Sequence, residues 1–306
     1  MRTKRSAAQQ TTSKAEVPKA RADSKSRLRF PLALLLLLVV VVAIVFVVNL
    51  RPTERVKTGQ PEQPKKVAVD NPEQYSRINQ SPYYDQAGFG TTKDGRACYH
   101  GKRGSTYKVG VDVSDLQDSI DWQRVKEDGI SFAMIRIGLR GTKEGNVTPD
   151  NEFENNFKGA QEAGIKCGVY FFSQALNEKE AIEEADLVLK LLNGRKLDYP
   201  VAFDHESISE EYRTYGNDPA ENAKAARAFC KRIERAGYDT VIYGNYVDLN
   251  SVLKGEELQD YKTWFAEYGA SPSISHECLL WQFTSEGEVD GINTDVDLNL
   301  DMTPIN

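Results

Sequence analysis

The chain has 306 residues, 40% hydrophobic and 27% charged, with a formal net charge of −6, so it holds one large globular domain with extensions. Nine of its 39 basic residues but only two of its 45 acidic ones lie in residues 1–29, which leaves 30 and 43, a net of −13, for the rest. A surface that acidic excludes nucleic acid as the ligand, because nucleic acid is held by Lys and Arg that neutralise phosphates.

In chain order, the basic tail at 1–29 runs into an apolar segment at 30–49, which contains FPLALLLLLVVVVAIVFVV. About 19 residues without a charge are long enough to cross a hydrocarbon layer of ~30 Å as a helix. A cleaved secretory signal has an apolar core of about 7–15 residues and a small-residue cleavage site. Here the run is longer, and VVNLRPTER follows with no A-x-A pattern. A single transmembrane helix at 30–49 is therefore expected, in contact with membrane lipid. Basic flanks stay cytoplasmic. The tail at 1–29 is then inside, and everything after Arg51 lies outside the cell membrane.

Residues 50–106 read as an extracellular stalk and lead-in. RPTERVKTGQPEQPKKVAVDNPEQ is rich in Pro, Gln and charge, a composition that stays extended. SPYYDQAGFGTTKDGRACYHGKRGSTY is more aromatic and Gly-rich, and is expected to pack irregularly on the domain that follows.

That domain, at 107–306, alternates strands with helices. YKVGVDVS, SFAMIRIG, IKCGVYFF, YPVAFDHE and DTVIYGN read as five strands. They are followed in turn by helices in IDWQRVKEDG, EFENNFKGAQEAG and NEKEAIEEADLVLKLLNG, by one starting at NDPAEN, and by a weak one near 246–252. In the helix starting at NDPAEN, Asp218 is a cap, Pro219 takes the first position and Glu221 closes a capping box. KTWFAEY, CLLWQF and DVDLNL add three strands with little helix between them. Alternation implies a parallel sheet, and eight strands in about 200 residues suggest closure. The expected fold is α/β, an irregular (β/α)-barrel of about five β/α units plus three further strands. An open doubly wound sheet is the competitor, but no G-x-G-x-x-G follows the first strand.

Cys98, Cys167, Cys230 and Cys278 lie in a location that permits disulfides, yet three of them fall in apolar strand or helix runs and read as buried thiols. No C-x-x-C or H-x-H spacing occurs, so neither a metal site nor another cofactor is expected.

Chemistry gathers at the C-terminal ends of parallel barrel strands. Asp112 closes the first strand, Asp204 and Glu206 close the fourth, and Asp297 lies in the last. Strand alternation points Asp204 and Glu206 to one side and His205 to the other. Two residues span roughly 6.6 Å, between the retaining and the inverting carboxylate separations of glycosidases. Like charges crowded in a dry pocket hold a proton more tightly. Tyr170, Phe172, Tyr243, Trp264, Tyr268 and Trp281, with Gln282, recur at strand ends. Flat apolar faces with polar tips suit a sugar ring.

GVDVS followed by IDW, then GVYFF, the D-x-E strand end, IYGN, WFAEY, WQF and VDLN, in that order over 107–303, resemble the glycoside hydrolase family 25 lysozymes. The resemblance implies an irregular barrel and cleavage of the β-1,4 bond between N-acetylmuramic acid and N-acetylglucosamine in peptidoglycan. It implies Glu206 as general acid and Asp204 assisting the substrate's 2-acetamido group. Asp112 and Asp297 would line the cleft, Tyr170 and Tyr243 would flank the −1 sugar, and Trp281 with Gln282 would form the cleft floor. His205 departs from the usual apolar residue between the acids and is expected to be packed and neutral. The competing readings are a non-catalytic module that binds peptidoglycan or scaffolds wall-processing proteins, and a polysaccharide deacetylase. The latter needs metal-binding histidines, whereas His100, His205 and His276 are scattered along the chain.

Overall fold

Alternation of inward and outward side chains along each strand builds two cores, one inside a barrel and one between barrel and helices. The computed structural model describes residues 84–101, 104–273 and 277–303. The tail at 1–29, the transmembrane helix at 30–49 and the stalk as far as residue 83 lie outside the described residues. No helix among the described residues is long and apolar enough to cross a membrane.

The lead-in forms a small antiparallel sheet of β1 (Phe89–Thr91), β2 (Ala97–Gly101) and β3 (Gly104–Thr106). The main sheet follows: β4 (Val109–Val113), α1 (Trp122–Glu127), β5 (Phe132–Arg140), β6 (Val147–Pro149), α2 (Phe153–Glu162), β7 (Lys166–Ser173), α3 (Glu178–Leu192) and β8 (Val201–His205). It continues with α4 (Pro219–Glu234), β9 (Thr240–Gly244), β10 (Thr263–Ala266), β11 (Cys278–Gly287) and β12 (Val296–Asp301). Seven barrel strands run parallel in the order β4, β5, β7, β8, β9, β10, β11, and β12 closes the ring between β11 and β4. β6 adds only a short edge to β5.

Two expectations change in detail. β12 is antiparallel to both neighbours, which reverses its ends relative to the other strands. The fifth helix shrinks to a single π-helical turn at Asp248–Val252, so four full β/α units are present among the described residues. At α4, Asp218 accepts from the Ala220 N–H and Pro219 opens the helix as read, but Glu221 takes Lys224 Nζ at 2.7 Å instead of closing a box.

Inside the barrel lie Phe132, Met134, Ala202, Val241, Trp264 and Leu280. Gly110 leaves room for this filling, since a Cβ there would sit 2.5 Å from the Phe132 ring. The outer core packs Val111, Ile135, Val169, Phe171 and Phe203 against Phe153, Phe157, Val188, Phe229 and Ile233 of the helices. Among the described residues no helix covers the β10 and β11 side. There the lead-in sheet packs: Phe89 meets Trp281 edge-on at 5.3 Å, and the Tyr84 hydroxyl donates to the Cys278 carbonyl at 2.9 Å. All four cysteines are free thiols; Cys167, Cys230 and Cys278 are buried, and burial pushes each of these three up to about 12.

Candidate active site

Six strands deliver the acids and rings of one cleft. Period two sends Ala202, Asp204 and Glu206 inward from β8 and its end, and sends Val201, Phe203 and His205 outward. Neighbours in register put matching levels side by side: Phe172 opposite Asp204, Asp204 opposite Tyr243, and Tyr243 opposite Trp264. The reversal of β12 matters here. Its N-terminal end, not its C-terminal end, reaches the mouth, and Asp297 pairs in register with Asp112.

The resulting cleft encloses about 380 Å³, and its lining includes Asp112, Asp204, Glu206 and Asp297 with Tyr170, Phe172, Tyr243, Trp264, Tyr268 and Gln282. Trp281 does not line it. Adjacent to Gln282 on β11, it faces the opposite side, packs on Phe89 and Phe283, and donates its Nε1–H to the Glu267 carbonyl at 2.9 Å. The expectation that Trp281 shares the cleft floor with Gln282 is corrected by the pleat of the strand. Trp264, by contrast, is floor rather than wall: it is 1% exposed, whereas Tyr268 is 41% exposed at the rim. A larger hollow of about 1110 Å³ lies at the other end of the barrel, near Lys108, Tyr199 and Asp301, and holds none of the clustered acids.

Two hydrogen-bonded carboxyl pairs face each other in the cleft. Asp204 bonds Glu206, and Asp112 bonds Asp297. The Asp204 and Glu206 carboxyls thus converge well inside the span of roughly 6.6 Å that two strand residues set. Burial first, then the neighbouring Asp204 charge, raises Glu206 well above the carboxylate range. Burial also raises Asp204, opposed by its hydrogen bond to Glu206, and lifts Asp297 to about 9. Asp204 Oδ1 is buried and has no hydrogen-bond partner.

A polar frame holds the second pair. Asp112 Oδ2 accepts from Asn299 Nδ2 at 2.7 Å and Gln282 Nε2 at 2.9 Å. Gln282 Oε1 accepts from the hydroxyls of Tyr243 at 3.1 Å and Tyr268 at 3.2 Å, and Asn299 Oδ1 accepts from Trp264 Nε1 at 2.6 Å. His205 is fully buried on the outer side, stacked on Phe203 at 10° with neither ring nitrogen bonded, and burial lowers it to about 4. It is neutral, and its place is the outer core.

Sequence reasoning missed four neighbours of the cleft. Asn299 follows Asp297 by two on β12, a signal that period two contained. Arg136 lines the cleft from β5, paired with Asp150 at 2.7 Å and Asp115 at 2.5 Å. Asp248, whose charge raises Asp204 and Glu206 and which burial itself pushes up to about 6, opens the short π-helical turn after β9, and Gln174, which bonds the Glu206 carbonyl, sits just after β7; no periodicity marks either. No grouping of metal-ligating side chains occurs among the described residues.

The sequence model of the glycosyl hydrolases family 25 matches residues 111–292. The autolytic lysozyme of Clostridium acetobutylicum is 28% identical over 191 residues, 62% of this chain and 54% of that protein, so the chain spans about half of that relative's length. Lysozyme M1 of Streptomyces globisporus is 30% identical over 200 residues, 62% of this chain and 66% of that one. The crystal structure of a bacterial lysozyme from Streptomyces coelicolor aligns with a TM-score of 0.56 at 27% identity, over 64% of this chain and 93% of that one. With the family match covering more than half of its length and running from β4 to the loop after β11, the chain belongs to the glycosyl hydrolases family 25.

Proposed function

We propose that the protein is a muramidase that hydrolyses the β-1,4 bond between N-acetylmuramic acid and N-acetylglucosamine in peptidoglycan. The observation that carries this reading is the hydrogen-bonded Asp204–Glu206 pair in an aromatic-walled cleft, where burial and the neighbouring Asp204 charge favour the protonated form of Glu206. A protonated carboxyl beside a second carboxyl group is what glycosidic cleavage requires.

In this reading Glu206 donates its proton to the glycosidic oxygen as the bond to the anomeric carbon breaks. The unpartnered Asp204 Oδ1 accepts the N–H of the 2-acetamido group and aims the acetamido oxygen at that carbon. The acetamido oxygen then bonds the anomeric carbon, one of the recognised departures from a two-carboxylate scheme. Water opens this intermediate, and the Glu206 carboxylate takes its proton. Asp112, held by Gln282 and Asn299 and hydrogen-bonded by the protonated Asp297, stabilises the positive charge that develops on the sugar. Tyr170, Tyr243 and Tyr268 supply ring faces and hydroxyls to the glycan.

The apolar run at 30–49 and the basic tail before it place the enzyme, in this proposal, on the outer face of the cell membrane with the barrel extracellular. Mass spectrometry of fragments released from purified peptidoglycan by the full-length protein tests the reading. New reducing ends on N-acetylmuramic acid are expected. New ends on N-acetylglucosamine would contradict the bond assignment, and binding without any release would favour the non-catalytic module.

A further inference from the structure

We infer that Gln174, gripped by Thr214 and Arg213, is a positioning residue that fixes Glu206 opposite Asp204. The inference rests on the reading of Glu206 as the general acid. Glu206 stands one residue beyond β8, where the ladder has ended: Ser173 and His205 are the last registered pair of β7 and β8. Its carboxyl is partnered by another acid, Asp204. A proton shared between two carboxyls does not fix where either group sits. The main chain at Glu206 must therefore be held by something else.

Gln174, the residue after β7, does this. It is 0% exposed, and its Nε2 donates to the Glu206 carbonyl at 2.8 Å. The other end of the same amide is also occupied: Oε1 accepts from the Thr214 hydroxyl at 2.8 Å, and Thr214 is 1% exposed. With both ends bonded, the amide has one orientation. Arg213 holds the main chain beneath it. Its Nη1 donates to the Gln174 carbonyl at 3.0 Å and to Glu180 Oε2 at 2.8 Å, its Nη2 donates to Glu180 Oε1 at 3.0 Å, and its backbone N–H donates to the Thr142 carbonyl at 2.7 Å. The loop carrying the acid is thereby tied to the loop after β5, the end of β7 and the first turn of α3. None of these side chains lines the cleft. A misplacement of about 1 Å at a reacting group lowers rate on the order of 100-fold, so such a brace acts on catalysis without touching substrate.

The test compares full-length Gln174→Leu, Thr214→Val, Thr214→Ser and Glu206→Gln on purified peptidoglycan, reading reducing ends across pH. Gln174→Leu is expected to lower kcat about 10- to 100-fold with KM within about two-fold, as expected for loss of transition-state geometry. Its basic limb in kcat/KM moves to lower pH, because carboxyls drawn apart raise one another less. The groups that face Glu206 are Asp204 on its own strand, Asp112 on β4, Asp297 on β12, Asp248 after β9, and the Tyr243 and Tyr268 hydroxyls. Thr214→Val shifts both readouts the same way by less, and Thr214→Ser, which keeps the hydroxyl, recovers most of what Thr214→Val loses. If Gln174→Leu does not fold, the Thr214 pair decides alone. A lower amplitude with an unmoved basic limb, or wild-type kcat in Gln174→Leu, overturns the inference. Activity retained by Glu206→Gln overturns instead the general-acid reading on which it stands.

Discussion

Asp204 and His205 are consecutive residues with opposite electrostatic tasks, and the pleat separates them. Asp204 turns into the cleft with one oxygen unpartnered, and Asp204→Asn is expected to lower kcat about 100-fold or more while KM changes little, since its proposed contact strengthens only as the acetamido group attacks. Steady-state kinetics on soluble peptidoglycan fragments check this, and a matching rise in KM at constant kcat would contradict it. His205 turns outward, where burial lowers it to about 4 from its ordinary 6.5. A histidine kept neutral in the fold contributes stability above its unfolded value, and that stability is lost as pH falls through 6.5 towards about 4. At about 1.4 kcal/mol for each pH unit, the loss is roughly 3 kcal/mol. His205→Phe removes it, so denaturant unfolding at pH 7 and pH 4.5 is expected to differ less in the variant than in wild type.

At the scale of elements, the lead-in sheet covers the β10 and β11 side, where no helix packs among the described residues. Tyr84 is buried, and its hydroxyl both donates to the Cys278 carbonyl and accepts from the Cys278 N–H, so Tyr84→Ala is expected to destabilise the barrel by about 3 kcal/mol, read by chemical denaturation. Trp281→Phe belongs to the same contact. It is expected to lower the melting temperature and leave KM unchanged, because the ring faces the lead-in rather than the glycan. The eight barrel strands were legible in the sequence because each is a short apolar run bounded by turns. The four acids were legible because three of them end such runs. The sense of β12 was not: nothing in DVDLNL distinguishes parallel from antiparallel, and only the pairing with β4 shows which end meets the mouth. Trp281 and Gln282 are consecutive on β11, so strand alternation forbids them a shared floor, and the aromatic recurrence alone does not tell which of the two faces the cleft. Gln174 acts from the loop after β7 and Asp248 from a single π-helical turn, too short for spacing to carry a periodic signal.

For the whole molecule, the cleft concentrates acids whose ionisation burial resists, a cost the rest of the barrel offsets. Asp297, lifted to about 9, shows the sign. A carboxyl whose folded value is raised destabilises the fold progressively as pH rises from its ordinary range towards that value. Asp297→Asn is therefore expected to raise stability at pH 8 by about 1 kcal/mol or more while lowering activity, the exchange common at functional sites. Differential scanning calorimetry of the two proteins at pH 5 and pH 8 separates the effect, since the gain is larger at the higher pH.

Everything proposed for this cleft depends on a proton held by Glu206 and passed to the glycosidic oxygen. The most direct measurement is the turnover of purified peptidoglycan by wild type and Glu206→Gln, with binding to the same material followed in parallel. The account predicts reducing ends from wild type, a loss of about 1,000-fold or more in the variant, and similar binding by both. Equal turnover by the two proteins, or binding by both with no turnover by either, would contradict it.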